Sequence, residues 1–409
     1  MNILFIQTFD NVGGAALVSW NLGNMLRSRG YNVKYIVGYK KSNSPIVYEL
    51  NQNKLLNWLG KITNKNIKFM YRGLYSKILA NDIDSGVSKE IFNHPWYKNA
   101  DIIHCHNLHG NFFKLESLIK ISQEKKVVWT LHDEWTIMAS GACILQNKLI
   151  NGFYIRDNLK LYPAMMWDND KYLAHKKTEI YHKSDFRVVV PSKWLEKKVR
   201  SSILKNKQLH LVPNGIDVKI YKKQNKNEVR HELNLPLNKK IITFIADGGQ
   251  KNSWKGWQYF QKIIRSFDNN DGLLFLSIGG QNTKADNNLL NINYIYSPKI
   301  IAKYYSASDL VLCASLAESF CLVVVEAAAC GVPIVSFPVG VVPELIDHKK
   351  NGYIAKYKDW SDLKNGIEYI LSLDNKKIEK VSKNLIEKVK NDYSLSKMVE
   401  RYEKLYQRL

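Results

Sequence analysis

Two carboxylates, Glu318 and Glu326, stand eight positions apart in ESFCLVVVEAAACGVPIVSF, one of the most apolar runs of the chain. A charge in such a segment costs free energy unless it is paired or binds something. If Glu318 closes a loop and a helix begins just after it, eight residues rise about 12 Å and turn about 80° beyond two full turns, so both carboxylates can face one ligand. Between them Phe320, Cys321 and Leu322 would open the helix, where unpaired N–H groups and the positive dipole end suit a phosphate. A ligand with hydroxyls at both ends and a diphosphate in the middle fits this layout, which describes a nucleotide sugar. The plain alternative is a pair of capped helix ends or a structural salt bridge.

Other residue types invite chemistry with less support. His104, His106 and His109 form H-x-H-x-x-H, but no acidic or thiolate partner except Cys105 completes a zinc set, and strand alternation turns Cys105 to the opposite face. Strand-end histidines on the acceptor side of a cleft are the better reading, with Asp133 beside them. Asp168 and Asp170 in WDND mimic a D-x-D metal motif, yet they lie in a polar, aromatic-rich connection, and chance explains them. Cys143 has no evident paired base and reads as structural.

The elements that must position these groups recur through the chain. NILFIQ, the NVGG turn, a helical period from Ala15 to Arg29 and VKYIVG form a βαβ unit. Apolar runs at DIIHCH, KVVWTLHD and FRVVVPS continue it as a parallel, helix-covered sheet. A second series starts near LHLVPNGID, from Leu209, and runs through KIITFIADGG, GLLFLSIGG, LVLCAS and VPIVSF. The expectation is α/β, with two doubly wound Rossmann-like domains facing a cleft: residues 1–204 on the acceptor side, 205–385 for the nucleotide sugar, and a C-terminal helix over 386–409 packing back across the junction. The absence of G-x-G-x-x-G, and Tyr39, Lys40 and Lys41 where a ribose-binding acid would stand, argue against a dehydrogenase.

A chain of 409 residues with 45% hydrophobic content can bury two or three cores. The start lacks a basic n-region and a long apolar core, and five cysteines form no CxxC pair, which together point to the cytoplasm. A net charge of +23 implies attraction to an anionic partner. From Lys54 to Leu79 six basic residues and no acidic one accompany apolar residues at helical spacing, which suits either two covering helices or attachment to an anionic membrane surface. No nucleic-acid motif accompanies it.

Glu318 and Glu326 resemble the E-x7-E motif of retaining GT-B glycosyltransferases of the family 4 type. The resemblance extends over NVGGAA (from Asn11), ADIIHCHNLHG (from Ala100), TLHDEW (from Thr130), VVVPSKWL (from Val188), VPNGID (from Val212), WKGW (from Trp254), YYSASDLVLCAS (from Tyr304) and NGY (from Asn351). It implies that Glu326 accepts hydrogen bonds from ribose hydroxyls and that Glu318 contacts the donor hexose. It further implies that Lys255 pairs with the diphosphate, that Gly13 and Gly14 let the backbone approach it, and that His132 sits at the sugar-transfer centre. The implied enzyme moves a hexose from a nucleoside diphosphate sugar to a glycan or lipid-linked acceptor with retention, in bacterial surface polysaccharide synthesis. It works without a metal cofactor, in the cytoplasm or peripherally at the inner face of the plasma membrane.

The chain departs from the family pattern in three places. An arginine usually precedes the lysine, whereas GGQKNSWKG has only Lys251; Cys321 and Val341 stand where glycines are usual. Two alternatives follow: a non-catalytic scaffold of this fold binding glycan, lipid or nucleic acid, and a nucleotide-sugar epimerase or hydrolase.

Overall fold

The computed structural model describes residues 1–50, 73–74, 76–84, 89–156, 158–160, 162–246, 248–249, 252–267, 270–280, 285–286 and 288–409. The chain divides into two units, Met1–Val212 with Val399–Leu409, and Pro213–Met398.

The first unit is built on a parallel sheet. Its strands are β1 (Asn2–Phe9), β2 (Asn32–Tyr39), β3 (Val47–Glu49), β4 (Ile102–Cys105) and β5 (Lys126–Thr130). A short antiparallel hairpin of β6 (Leu149–Ile150) and β7 (Phe153–Tyr154) stands apart, and β8 (Arg187–Val190) and β9 (Leu209–Leu211) complete the sheet. Among the described residues the order is β3-β2-β1-β4-β5-β8-β9. Consecutive residues Ile3, Leu4, Phe5 and Ile6 are all buried, the pattern of a strand covered on both faces. The helix Gly14–Ser28 covers one face through Val18, Leu22 and Leu26. It lies so close that a Cβ on Gly23 would fall 1.9 Å from the Tyr35 hydroxyl.

One expectation needs correction here. Leu209 does not open the second series: β9 pairs in parallel with β8, Val189 opposite His210. A run as short as Leu209–His210–Leu211 reads the same in either sheet, and only the pairing decides its place.

The second unit carries β10 (Lys240–Ile245), β11 (Leu273–Gly280), β12 (Ala285–Asp286), β13 (Leu289–Asn293), β14 (Leu310–Cys313), β15 (Ile334–Ser336) and β16 (Tyr353–Ile354). Among the described residues their order is β12-β13-β11-β10-β14-β15-β16, parallel except for the edge strand β12. The helix Leu322–Ala329 follows β14, and Val324, Val325 and Ala328 share a core with Val381, Leu385 and Val389 of the helix Asn375–Asp392.

The C-terminal stretch is two helices, Asn375–Asp392 and Leu395–Gln407, rather than one beginning at 386. Ser394 separates them by bridging to Ile216. Residues from Val399 onward belong to the first unit. Tyr402 and Tyr406 reach Thr130 and His104 there, at 2.8 and 2.7 Å.

No helix among the described residues is long and apolar enough to cross a membrane. Lys251, and the basic stretch from Lys54 apart from residues 73–74 and 76–79, lie outside the described residues.

Candidate active site

In the second unit, Lys255 ends a 3₁₀ turn, Ser253–Lys255, and Gly256 follows with φ of 80°. A Cβ on Gly256 would lie 2.0 Å from the Ala314 carbonyl oxygen, so only glycine lets this turn press against the end of β14. The Leu316 N–H donates to the Trp254 carbonyl at 2.8 Å and ties turn and loop together. Across this junction Lys255 Nζ donates to Glu318 Oε1 at 2.5 Å. Burial alone would lower the Lys255 pKa, but the Glu318 carboxylate outweighs it and holds the ammonium charged well above its usual range.

Cys321 precedes the helix Leu322–Ala329 in the left-handed conformation, φ 80° and ψ 73°, and no side chain caps the helix. A non-glycine residue there costs about 1–2 kcal/mol. The backbone therefore keeps a conformation that glycine would adopt without strain, and cysteine bears the cost. Val341 needs no glycine, since its φ is −80° and its N–H donates to the Phe320 carbonyl at 2.8 Å. No side chain caps the first N–H groups of this helix, and of these Val324 already donates to the Cys321 carbonyl at 3.3 Å.

The sequence geometry is corrected on one point. The helix begins at Leu322, so Glu318 lies in the loop, and the helical stretch from Leu322 to Glu326 rises only about 6 Å. Glu326 is the one polar residue of LVVVEAAA, half-buried, and Oε2 accepts from the Tyr305 hydroxyl at 2.9 Å. Burial raises its pKa, opposed by hydrogen bonds from Tyr305 and Tyr221. Neither tyrosine was singled out in the sequence, although Tyr305 falls in YYSASD; a hydroxyl on a buried carboxylate leaves no spacing pattern.

In the first unit, β1 leads through Asp10 into the loop at Gly13. Asp10 is buried and accepts from the Lys41 and Ser42 N–H groups, each at 2.8 Å, which fixes the end of β2 to the end of β1. Gly13 has φ 88° and open space where a Cβ would be, so its requirement is conformational; Gly14 starts the helix.

The four histidines separate into distinct environments. His104 is fully buried, with Nδ1 2.7 Å from the Tyr406 hydroxyl and Nε2 2.8 Å from Thr130 Oγ1, so it anchors the last helix and has no nitrogen left for an acceptor. His106 Nδ1 lies 2.9 Å from His132 Nε2 with the rings stacked, and His106 Nε2 is buried without a hydrogen-bond partner. Burial pushes His132 down to about 4, against the opposing pull of Asp133, and pushes His106 well below its usual value. Both are therefore neutral near pH 7. His109 Nε2 donates to Asp133 Oδ2 at 2.7 Å, and its Nδ1 lies 3.1 Å from the Tyr162 hydroxyl. Burial would lower His109, but Asp133 reverses this and raises it. Burial would raise Asp133, and His109 instead holds it low.

Asp170 opens a helix, Asp170–Lys183, and Asp168 stands just before its N-cap Asn169. Asp168 Oδ1 accepts the Asp170 N–H at 2.9 Å, and Asp170 accepts from the Ser140 hydroxyl. Among the described residues no three His, Cys, Asp or Glu side chains are grouped to hold a metal ion.

Residues 12–220, half of the chain, match the family described as Glycosyltransferase Family 4, and residues 225–392 match Glycosyl transferases group 1. The N-acetyl-alpha-D-glucosaminyl L-malate synthase of Bacillus anthracis is 25% identical over 98% of this chain and 95% of its own length. Among solved structures, sucrose-phosphate synthase from Thermosynechococcus elongatus superposes with a TM-score of 0.68 at 17% identity, covering 100% of this chain and 99% of that one. HepE of Anabaena, solved with UDP-glucose, gives 0.66 at 16% identity with 100% of both chains covered. These likenesses establish the two-sheet GT-B fold.

Proposed function

The chain belongs to Glycosyltransferase Family 4, and from that premise we propose that it transfers a hexose from a nucleoside diphosphate sugar to a hydroxyl of a glycan or lipid-linked acceptor, with retention of anomeric configuration. The observation that carries this reading is the Lys255–Glu318 pair beside an uncapped helix N-terminus whose helix bears Glu326. Lys255 and the first helix N–H groups take the diphosphate, Glu326 takes the ribose hydroxyls, and Glu318 takes the hexose. The binding of UDP-glucose by HepE supports a donor of this class.

In the donor-free chain Glu318 holds the Lys255 charge. Two phosphates compete for that charge, and the released carboxylate then accepts from sugar hydroxyls. As the bond to the anomeric carbon breaks, Lys255 and the helix dipole stabilise negative charge on the leaving diphosphate. The acceptor oxygen bonds the anomeric carbon on the same face while the leaving phosphate takes its proton, and with Lys255 carrying the leaving-group charge no divalent cation is required. In the first unit, neutral His132, oriented by His106, can exchange a hydrogen bond with a sugar hydroxyl, and the loop at Gly13 has open space beside it.

The reading places the enzyme in the cytoplasm, in bacterial surface polysaccharide synthesis, held to the inner face of the membrane by the basic stretch from Lys54. Preference for anionic over neutral vesicles at low salt tests that attachment, and equal binding contradicts it. The activity is tested by incubating the chain with UDP- and GDP-sugars and hydroxyl acceptors, in EDTA, and assigning the product anomer by NMR. A glycoside of retained configuration is expected. An inverted product, free sugar alone, or activity restored only by magnesium or manganese contradicts the respective part.

A further inference from the structure

Cys313 closes β14 and Cys321 stands immediately before the helix Leu322–Ala329, so the loop between them, residues 314–320, carries Glu318. Both thiols are free, and their sulfur atoms are 3.4 Å apart. A disulfide bond is about 2.0 Å long, so bonding requires the sulfurs to approach by about 1.4 Å, within the reach of two side-chain rotations and a small loop shift. We propose that Cys313 and Cys321 are a reversible oxidation site, joined by a hydroperoxide into a disulfide that shuts the nucleotide-sugar site of the same loop. The shutting rests on the donor-site reading given above; the disulfide does not.

The surroundings favour reaction at this pair. The two sulfurs share one hydrogen bond, which against burial holds the Cys313 pKa below the ordinary thiol value and, with burial, raises Cys321. Cys313 is therefore the more readily ionised of the two, and Cys321 the resolving thiol. The Glu318 carboxylate opposes ionisation of both thiols, offset in part at Cys321 by the Lys255 ammonium. Cys313 and Cys321 are 5% and 6% exposed, whereas Cys105 is fully enclosed at 0%.

The step balances with hydrogen peroxide as oxidant. The Cys313 thiolate attacks one peroxide oxygen, the O–O bond breaks, and the departing hydroxide takes a proton to become water, leaving a sulfenic acid. The Cys321 sulfur then attacks the Cys313 sulfur, the S–O bond breaks, and the Cys321 proton leaves with the oxygen as a second water. Two thiols lose two electrons to one peroxide.

The structural consequence follows from where Cys321 sits. Its backbone is already strained at φ 80°, and drawing its sulfur toward β14 moves the residue that sets the helix N-terminus. The disulfide also ties both ends of the loop that presents Glu318 to Lys255, so neither the N–H groups nor the carboxylate can adjust to a diphosphate sugar.

The test treats the full chain with hydrogen peroxide and reads the product by non-reducing peptide mapping and by calorimetric titration with UDP and GDP. A Cys313–Cys321 linked peptide is expected, with nucleotide affinity lowered at least tenfold and restored by dithiothreitol. Cys313→Ala should bind nucleotide as the reduced wild type does and keep that affinity after peroxide. Absence of the linked peptide overturns the oxidation site. A linked chain that binds nucleotide as tightly as the reduced one overturns the switch. Dithiothreitol reversal in the wild type decides the matter even where the variant folds poorly. A reduced chain that binds neither nucleotide overturns the donor reading and the switch with it, while the peptide map still decides the disulfide.

Discussion

Lys255 Nζ lies 2.5 Å from Glu318 Oε1, with the two side chains only 22% and 14% exposed, although 63 positions separate them in sequence. The pairing depends on Gly256, whose missing side chain lets the lysine turn meet the loop after β14. An enclosed ion pair is a poor stabiliser in itself, because desolvating both charges consumes most of the attraction, but removing one partner strands the other. That asymmetry suits a charge kept ready for a ligand.

The pair should therefore couple strongly in a double-mutant cycle. Lys255→Ala and Glu318→Ala should each destabilise the chain by roughly 1–3 kcal/mol, and the double variant should cost clearly less than their sum. Denaturant titration of the four proteins measures this, and strict additivity would show that the pair does not interact in solution.

Glu326 should separate binding from turnover. Glu326→Ala removes the proposed partner of the ribose hydroxyls and should weaken UDP or GDP binding roughly 10–100-fold, as loss of a charged hydrogen bond does. Tyr305→Phe removes one hydroxyl from that carboxylate and should cost less. Glu318→Ala should lower turnover more than nucleotide affinity. Unchanged affinity in the Glu326 variant rules out its role.

The histidines predict opposing trends of stability with pH. His132 is held at about 4, below the ordinary 6.5, so the unfolded chain binds its proton first and stability is lost as pH falls from 6.5 toward 4, by roughly 2–3 kcal/mol. His109 is raised by Asp133, so its contribution is complete below pH 6.5 and is lost as pH rises through the folded value. Melting curves should show His132→Gln flattening the acidic slope and His109→Gln flattening the slope above 6.5. Slopes unaltered by either substitution would mean that these residues titrate alike in the folded and unfolded chain.

The sequence carried the architecture well because parallel strands covered on both faces leave continuous apolar runs, as at Ile3–Ile6, and because the Glu318–Glu326 spacing is a local pattern. It carried partners poorly. That His104 would meet Tyr406, 302 positions later, or that Tyr305 and Tyr221 would share Glu326, depends on pairings that no window of sequence contains. The H-x-H-x-x-H run read as one cluster, yet burial and partner divide it into an anchored ring, a neutral stacked pair with His132, and a ring hydrogen-bonded to Asp133. The place of β9 was ambiguous for the same reason, since three residues, Leu209, His210 and Leu211, do not specify which sheet they join.

Calorimetric titration of UDP and GDP into the reduced wild type and into Lys255→Ala tests the donor site most directly. One equivalent of at least one nucleotide should bind the wild type, and the variant should bind it at least tenfold more weakly, about 1.4 kcal/mol or more. Binding of neither nucleotide by the wild type, or equal binding by both proteins, would contradict a diphosphate site at Lys255.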